Sequence, residues 1–234
     1  VTARSATFTY WDSDDLGAIS AHREHWRGYF PAHAVVTRDA ARRLLAHRSP
    51  RHLETFDRIA LPACRSDIAR LLQLEEEGGL YVDAHCAVLD SDGILARHHL
   101  LDSVDLVVST RHAPNFARTM PHNSIVWCRP GAPVVSRLLD KALDNLAAKA
   151  ERERVHGFEA YHVWDLTGPG VFWRELFDVE ATEGQLKREW DGKVATIFET
   201  HNPIRRHVFV GYRGPGDHWS ERQRSECLFN TPRT

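Results

Sequence analysis

Apolar positions along this chain alternate between a two-residue and a 3.6-residue rhythm, and that alternation predicts a layered α/β domain. Thr7 to Trp11 is rich in β-forming residues and reads as a first strand, closed by the turn-like Asp12-Ser13-Asp14-Asp15. A helix is expected over Leu16 to Tyr29, with Asp14 or Asp15 as N-cap. Ala34 to Thr37 follows as a short buried strand, then Arg38 to His47 as a helix with Leu44 and Leu45 inward. The strongest helical pattern of the N-terminal half covers Ala63 to Glu77, where Ile68, Leu71, Leu72 and Leu74 carry the period. Gly78-Gly79 ends it, and Leu80-Tyr81-Val82 leads as a strand into Asp83.

Further strands are expected at Asp105 to Ser109, Ser124 to Cys128, Val194 to Phe198 and His207 to Val210. Val134 to Ala150 reads as a long amphipathic helix whose apolar stripe is core packing. A short helix after Pro169 carries Phe172, Leu176 and Phe177, and the tail from Gly211 reads as loop. With no internal repeat or low-complexity linker, 1–234 is expected to form a single domain with a mixed, mainly parallel sheet flanked by helices.

Charge narrows the function. Thirty basic against 32 acidic residues leave a formal net charge of -2, so there is no global basic field to draw in nucleic acid. Cys64, Cys86, Cys128 and Cys227 are far apart and form no C-x-x-C pair, which argues against a zinc ribbon or disulfide framework. A reducing compartment is favoured and a cytoplasmic location expected. Val1-Thr2-Ala3 begins no charged-then-apolar leader, and no run approaches the ~18 apolar residues that span a bilayer, which leaves peripheral membrane attachment open.

The candidate chemistry lies around the strong helix. Asp67 and Arg70 are three residues apart and share a face. Alone they would be an exposed ion pair of small worth. The strand after Gly78-Gly79, however, runs straight into Asp83-Ala84-His85. Side chains alternate along an extended chain, so Asp83 and His85 should point to one side, at the strand end where α/β sheets gather ligands. A carboxylate and an imidazole there can hold a divalent cation with positions left open. Such a cation would bridge a diphosphate and neutralise charge on a leaving group. Asp67 could accept from sugar hydroxyls, and Arg70 could donate to sugar or phosphate oxygens.

Ser66-Asp67-Ile68-Ala69-Arg70 followed by Gly78-Gly79-Leu80-Tyr81-Val82-Asp83-Ala84-His85 resembles the signature of the DXD-sugar-binding glycosyltransferases, including capsular polysaccharide synthesis, mannosyltransferase-like and toxin-like relatives. Their pattern is S-D-x-x-R, then G-G-x-Y-x-D-x-D; His85 stands where many relatives carry aspartate. Tyr10-Trp11 resembles the family's early aromatic near the nucleotide base, and His122-Asn123-Ser124 its asparagine strand. Pro130 to Pro133 resembles the turn that follows, and Thr167-Gly168-Pro169 the opening of a late helix near the sugar. His207 and His218-Trp219 resemble the closing histidine-to-tryptophan segment that can complete the metal site.

The resemblance implies a glycosyltransferase A type, Rossmann-like fold. It implies metal-assisted transfer of a sugar, with retention, from a nucleoside diphosphate sugar to an acceptor hydroxyl of a saccharide or other molecule, as in polysaccharide or glycoconjugate synthesis. Trp11, Asp67, Arg70, Asp83, Asn123, Thr167, Gly168 and Trp219 would bind substrate. Asp83 and His85, with His207 or His218, would hold Mn2+ or Mg2+. Trp11 and Trp219 are the stacking candidates, since both lie beside strand ends or loops. The alternative is a degenerate glycosyltransferase fold that binds without turnover, supported by His85 and by the lack of an evident general base; a metal-dependent hydrolase is a weaker third. No H-E-x-x-H helix and no G-x-S-x-G elbow is present, and Gly214-Pro215-Gly216 lacks the ending of a phosphate loop. His98-His99 is expected as a solvated pair after a helix.

Overall fold

Leu80 and Val82 face one apolar layer while Tyr81, between them, faces another, so a single short strand reports a sheet covered on both sides. The computed structural model describes residues 6–113, 118–181, 184–212 and 218–230. The elements run β1 (Thr7–Trp11), α1 (Ser20–Tyr29), β2 (Ala34–Thr37), α2 (Arg38–Arg48), α3 (Leu53–Arg58), α4 (Pro62–Glu77), β3 (Gly79–Val82) and β4 (Ala87–Val88). There follow α5 (Ser91–Leu100), β5 (Leu106–Ala113), β6 (Arg118–Cys128), α6 (Pro133–His156), α7 (Val163–Leu166), α8 (Pro169–Leu176), β7 (Val194–Phe198), β8 (Ile204–Arg205) and α9 (Trp219–Arg222).

Six strands form one sheet in the order β2-β1-β3-β6-β5-β7, and β4 pairs with β8 beside it. The β2-β1, β1-β3 and β5-β7 pairs are parallel; β6 is antiparallel to both its neighbours, so it alone of the six is reversed. This is the expected mixed, mainly parallel sheet flanked by helices. One face packs Phe8, Tyr10, Tyr81, Val108 and Val126 against α2, α3, α4, α6 and α8. The other packs Leu80, Val82, Val107, Ile125 and Trp127 against Trp26 of α1 and Ile94 of α5.

Several expectations need correction. The helix from Leu16 splits into a 3-10 turn at Gly17–Ile19 and α1; Asp15 accepts from the Gly17 N–H at 2.8 Å as a local turn rather than an N-cap. Strands β5 and β6 are longer than the apolar pattern indicates: in their outer half Arg111 and His112 are exposed and pair with Met120 and Thr119, too few apolar positions to show a strand rhythm. Polar residues likewise carry α6 on to His156, where Arg154 and Glu151 pair on the surface and Gly157 takes a φ of 74°. His207 to Val210 is not a strand: the pairing lies at Ile204–Arg205 instead. The tail contains α9. His98 and His99 both sit within α5; His98 is buried and held neutral by burial, with its pKa down to about 4, while His99 is exposed. Gly214-Pro215-Gly216 lies outside the described residues.

The join between α4 and β3 is set by two glycines. Gly78 has a φ of 66° and closes α4 by donating to Leu74 O at 3.0 Å; Gly79 has a φ of 94°. A Cβ on Gly79 would press into the carbonyl oxygen of Ala6. Gly79→Ala should therefore destabilise the protein by about 1–3 kcal/mol, measured as the shift of a urea unfolding midpoint; an unchanged midpoint would contradict this reading of the turn.

Candidate active site

Pro62 occupies the first turn of α4, where its missing N–H costs nothing, and the helix then runs between the sheet and helices α2 and α6. Every residue from Ile68 to Leu74 is buried. Asp67 and Arg70 are therefore not the exposed pair they would be on a solvated helix. Their N–O distance is 3.1 Å, and their side chains are 7% and 4% exposed. A charge pair so deeply buried is unstable unless further bonds complete it.

Those bonds come from distant parts of the chain. Asn123 Nδ2 donates to Asp67 Oδ1 at 2.8 Å, and Thr167 Oγ1 donates to Asp67 Oδ2 at 2.8 Å. Arg70 donates to the Asn123 carbonyl oxygen, to Ser66 Oγ at 3.2 Å and to Asp83 Oδ1 at 3.3 Å. Its guanidinium lies 4.5 Å from the centre of the Tyr81 ring. Tyr81 faces α4 because it alternates with Leu80 and Val82, and its hydroxyl donates to Asp83 Oδ1 at 2.6 Å. Asp67, Arg70, Asp83, Asn123 and Thr167 thus converge on one buried network, while Gly168 caps α8 directly beside it.

Electrostatics separate the two carboxylates. Burial pushes the Asp67 carboxyl above the usual range, and Arg70, Thr167 and Asn123 offset this only in part. Burial also acts on Asp83, but there Arg70, His85 and the Tyr81 hydroxyl outweigh it and hold the carboxyl below the usual range. Asp83 is the more exposed of the two, at 23% of its side chain, and so is the ionised group offered to a ligand.

The approach of His85 to Asp83 has a different cause from the expected pleat. The chain leaves β3 at Asp83 and turns, with Cys86 N donating to Asp83 O at 2.9 Å. That turn brings His85 Nδ1 to 3.9 Å from Asp83 Oδ2. His207 stacks on His85 with centroids 4.7 Å apart and planes 1° off parallel. Its φ of 62° makes it the non-glycine residue with positive φ among those described, a conformation held here by Val208 N donating to His85 O at 2.9 Å. Asp83 Oδ1 is taken by Arg70 and Tyr81, so Oδ2, on the side of the His85 ring, is the carboxylate oxygen that would face a cation. A carboxylate oxygen and an imidazole nitrogen 3.9 Å apart are donor types that suit a divalent ion, so the pair could hold one. Among the described residues no group of three or more histidine, cysteine, aspartate or glutamate side chains could hold a metal.

The other expected residues lie apart from this network. Trp11 ends β1, donates its indole N–H to Asp15 O at 2.9 Å and meets Tyr212 edge-on at 5.1 Å. His218 caps α9, accepting from Ser220 N at 3.3 Å, and packs against Trp219. Trp219 in turn stands edge-on to His162, beside α7. Three contributors had no role assigned from the sequence. Tyr81 sat inside the quoted motif, and its phase relative to Leu80 and Val82 was the available signal. Ser66 is the second: its hydroxyl lies 3.1 Å from the Tyr81 hydroxyl. Arg65 forks onto Asp12 at 2.7 and 2.5 Å and so fixes the turn after Trp11; nothing local marks that pairing across 53 residues.

Residues 18–101 match a family model described as a glycosyltransferase sugar-binding region containing a DXD motif. Among solved structures the chain is similar to one titled PaToxG glycosyltransferase, at 16% identity and a TM-score of 0.45, with 73% of this chain and 68% of that chain covered. It is also similar to the UDP-bound glycosyltransferase domain from the YGT toxin, at 11% identity and a TM-score of 0.43, with 71% of this chain covered. The match spans about half of that structure, 52%. Comparison with curated proteins finds no match.

Proposed function

We propose that this protein, whose residues 18–101 match the model of the sugar-binding region of DXD-motif glycosyltransferases, transfers a sugar from a nucleoside diphosphate donor to an acceptor hydroxyl, assisted by a divalent cation. The observation that carries the reading is the buried network in which Arg70 joins Asp67 of α4 to Asp83 at the end of β3. A core ion pair needs no such outlet to a partly exposed carboxylate; a ligand site does. The glycosyltransferase A type arrangement fits the sheet, since ligands of such α/β layers sit at the carboxyl ends of the strands and Trp11 and Asp83 both do.

Each residue then has a task. Asp83 Oδ2 and His85 would hold the cation, Mn2+ or Mg2+. That ion, when bound, neutralises charge on the diphosphate leaving group. Arg70 and the Tyr81 hydroxyl fix the Asp83 carboxylate so that its free oxygen stays aimed outward. Asp67 has about four lone-pair positions and spends three on Asn123, Thr167 and Arg70; the fourth serves a sugar hydroxyl. Trp11, steadied by Tyr212 and Asp15, stacks near the base. His207 covers His85, and His218 with Trp219 closes from the α9 side. We assign retention of the anomeric configuration and a role in polysaccharide or glycoconjugate synthesis. We also assign a cytoplasmic setting and leave peripheral membrane attachment open; among the described residues no helix is long and apolar enough to cross a membrane.

Calorimetric titration with UDP-sugars, with and without manganese, followed by a donor-turnover assay, tests the reading. Binding should strengthen with the metal, and Asp83→Asn should cut turnover by about 10²-fold, the usual cost of losing one charge-stabilising group. A wild-type protein that binds no nucleoside diphosphate sugar would end the proposal. Binding without turnover would favour the second reading, a non-catalytic binding protein, for which His85 in place of an acidic residue is the specific support.

A further inference from the structure

A cavity of about 330 Å³ opens beside His207, lined among others by His122, Glu199, Asn202, Arg205 and Arg206. Its volume suits a monosaccharide-sized group. Asp83 N donates to Ser124 O at 2.9 Å, and His122 lies two residues upstream on the same strand. Glu199 and Asn202 follow the end of β7. In the strand order β1-β3-β6-β5-β7, Trp11 therefore marks one side of Asp83 and the cavity the other.

The lining is polar, cationic and incompletely satisfied. His122 is 4% exposed; its Nδ1 contacts Ser124 Oγ at 2.9 Å, and its Nε2 is buried with no hydrogen-bond partner among the described residues. Arg206 pairs with Glu199, yet its Nε is buried and likewise has no hydrogen-bond partner among them. Arg205 is exposed at the rim and forms no ion pair among the described residues. Arg111 on β5 adds to the positive field at His122. Glu199, an acidic residue in the wall, is compensated by Arg206. Asn202 donates to Ser109 Oγ at 2.7 Å and accepts from Ile204 N at 3.1 Å, so that wall is fixed rather than free to fold over the arginines. Buried polar groups without partners cost stability, and here two of them border one cavity that also carries uncompensated positive charge.

We propose that this cavity is the acceptor subsite and that it selects an acceptor carrying an anionic group, a phosphate or a carboxylate, bound by Arg205, Arg206 and the His122 ring. The inference rests on the donor reading given above, because it is the nucleotide beside Trp11 that leaves the far side of Asp83 to the acceptor. A guanidinium fork matches either anion in two hydrogen bonds and a neutral sugar in neither, so discrimination should be by charge.

The experiment uses the whole chain, as wild type, Arg205→Gln and Arg205→Gln/Arg206→Gln. Each is titrated calorimetrically with UDP, and then, both free and saturated with UDP, with glucose, glucuronate and glucose 6-phosphate. Glucuronate or glucose 6-phosphate should bind the wild type at least tenfold more tightly than glucose. Arg205→Gln should erode that preference several-fold and the double substitution remove it, with UDP affinity held within about twofold. Equal binding of charged and neutral sugars would overturn the proposal. So would a tenfold loss of UDP affinity in the double variant, which would assign the cavity to the donor diphosphate. Should the wild type bind no UDP, the donor reading fails by itself, and the acceptor assignment that depends on it falls too, even where a charge preference persists on the UDP-free protein. Arg205 is exposed, so the single variant keeps the test readable if the double variant folds poorly.

Discussion

Arg70→Met should lower the free energy of unfolding by about 3–5 kcal/mol, the range for removing one partner of a buried ion pair. The methionine stem fills much of the same volume, so the cost is electrostatic rather than a cavity. Asp67, 7% exposed, would lose its cation and keep only the neutral donors Asn123 and Thr167. Asp83 would keep the Tyr81 hydroxyl and the nearby His85 ring, and the Asn123 carbonyl oxygen would lose a donor. Either Asp67 takes up a proton or the helix shifts to admit water; both weaken the fold. Two companion variants separate these effects. Arg70→Lys keeps the charge but has no planar fork to reach Ser66, Asn123, Asp67 and Asp83 together, so it should recover only part of the loss. Adding Asp67→Asn to Arg70→Met removes the stranded charge and should restore about 1–3 kcal/mol. Urea unfolding followed by circular dichroism measures all four proteins. A loss under about 1 kcal/mol for Arg70→Met would mean that the network is solvated and the buried-site account is wrong.

That network shows why part of the site was legible in the sequence and part was not. The period of Ile68, Leu71, Leu72 and Leu74 and the stop at Gly78-Gly79 are local features, so α4 and its junction with β3 could be placed to within a residue or two. Asp67 and Arg70 share a face by helix geometry alone. What completes them is nonlocal: Asn123 is 56 residues from Asp67 and Thr167 is 100 away. No periodicity encodes those contacts, and only the family resemblance pointed at either residue. Burial of α4 on all sides was hidden for a related reason. Its mixed composition reads as a surface helix, but Asp67 and Arg70 find their partners at Asn123, Thr167 and Asp83 rather than in solvent. Elements with little apolar contrast, such as α5 and the outer half of β5 and β6, carried little signal; a helix end read before His98 rather than at Leu100 made that residue look solvated. The Arg206–His122 cavity was equally silent, being assembled from β6 and the segment after β7.

Acid should destabilise this protein progressively from about pH 6.5 downward. His22, His33 and His98 are buried, and burial lowers their pKa values to about 4, about 3 and about 4, while His122 is held well below its ordinary value by burial and by Arg206 and Arg111. Unfolded histidine titrates near 6.5. Between that pH and about 4 the unfolded chain binds protons that the folded chain refuses, so stability falls as pH falls, by up to about 1.4 kcal/mol per histidine per pH unit. At pH 5 this approaches roughly 2 kcal/mol for each, against a total stability of about 5–15 kcal/mol for a typical domain. Asp83, with a lowered pKa, contributes stability that is lost only at still lower pH, as the pH drops through its folded value. Asp67 works in the opposite sense, since its raised pKa means that protonation relieves a buried charge. Neither accounts for a loss beginning above pH 5. His98 isolates the effect, because neither ring nitrogen has a hydrogen-bond partner among the described residues and burial is the main cause of its lowered pKa. His98→Leu should therefore flatten the pH dependence by one proton while leaving the buried Arg70 network intact. Urea midpoints compared at pH 7.5 and pH 5.0 decide it: the variant should lose about 2 kcal/mol less than the wild type on acidification, and equal losses would mean that His98 takes up its proton in the folded state.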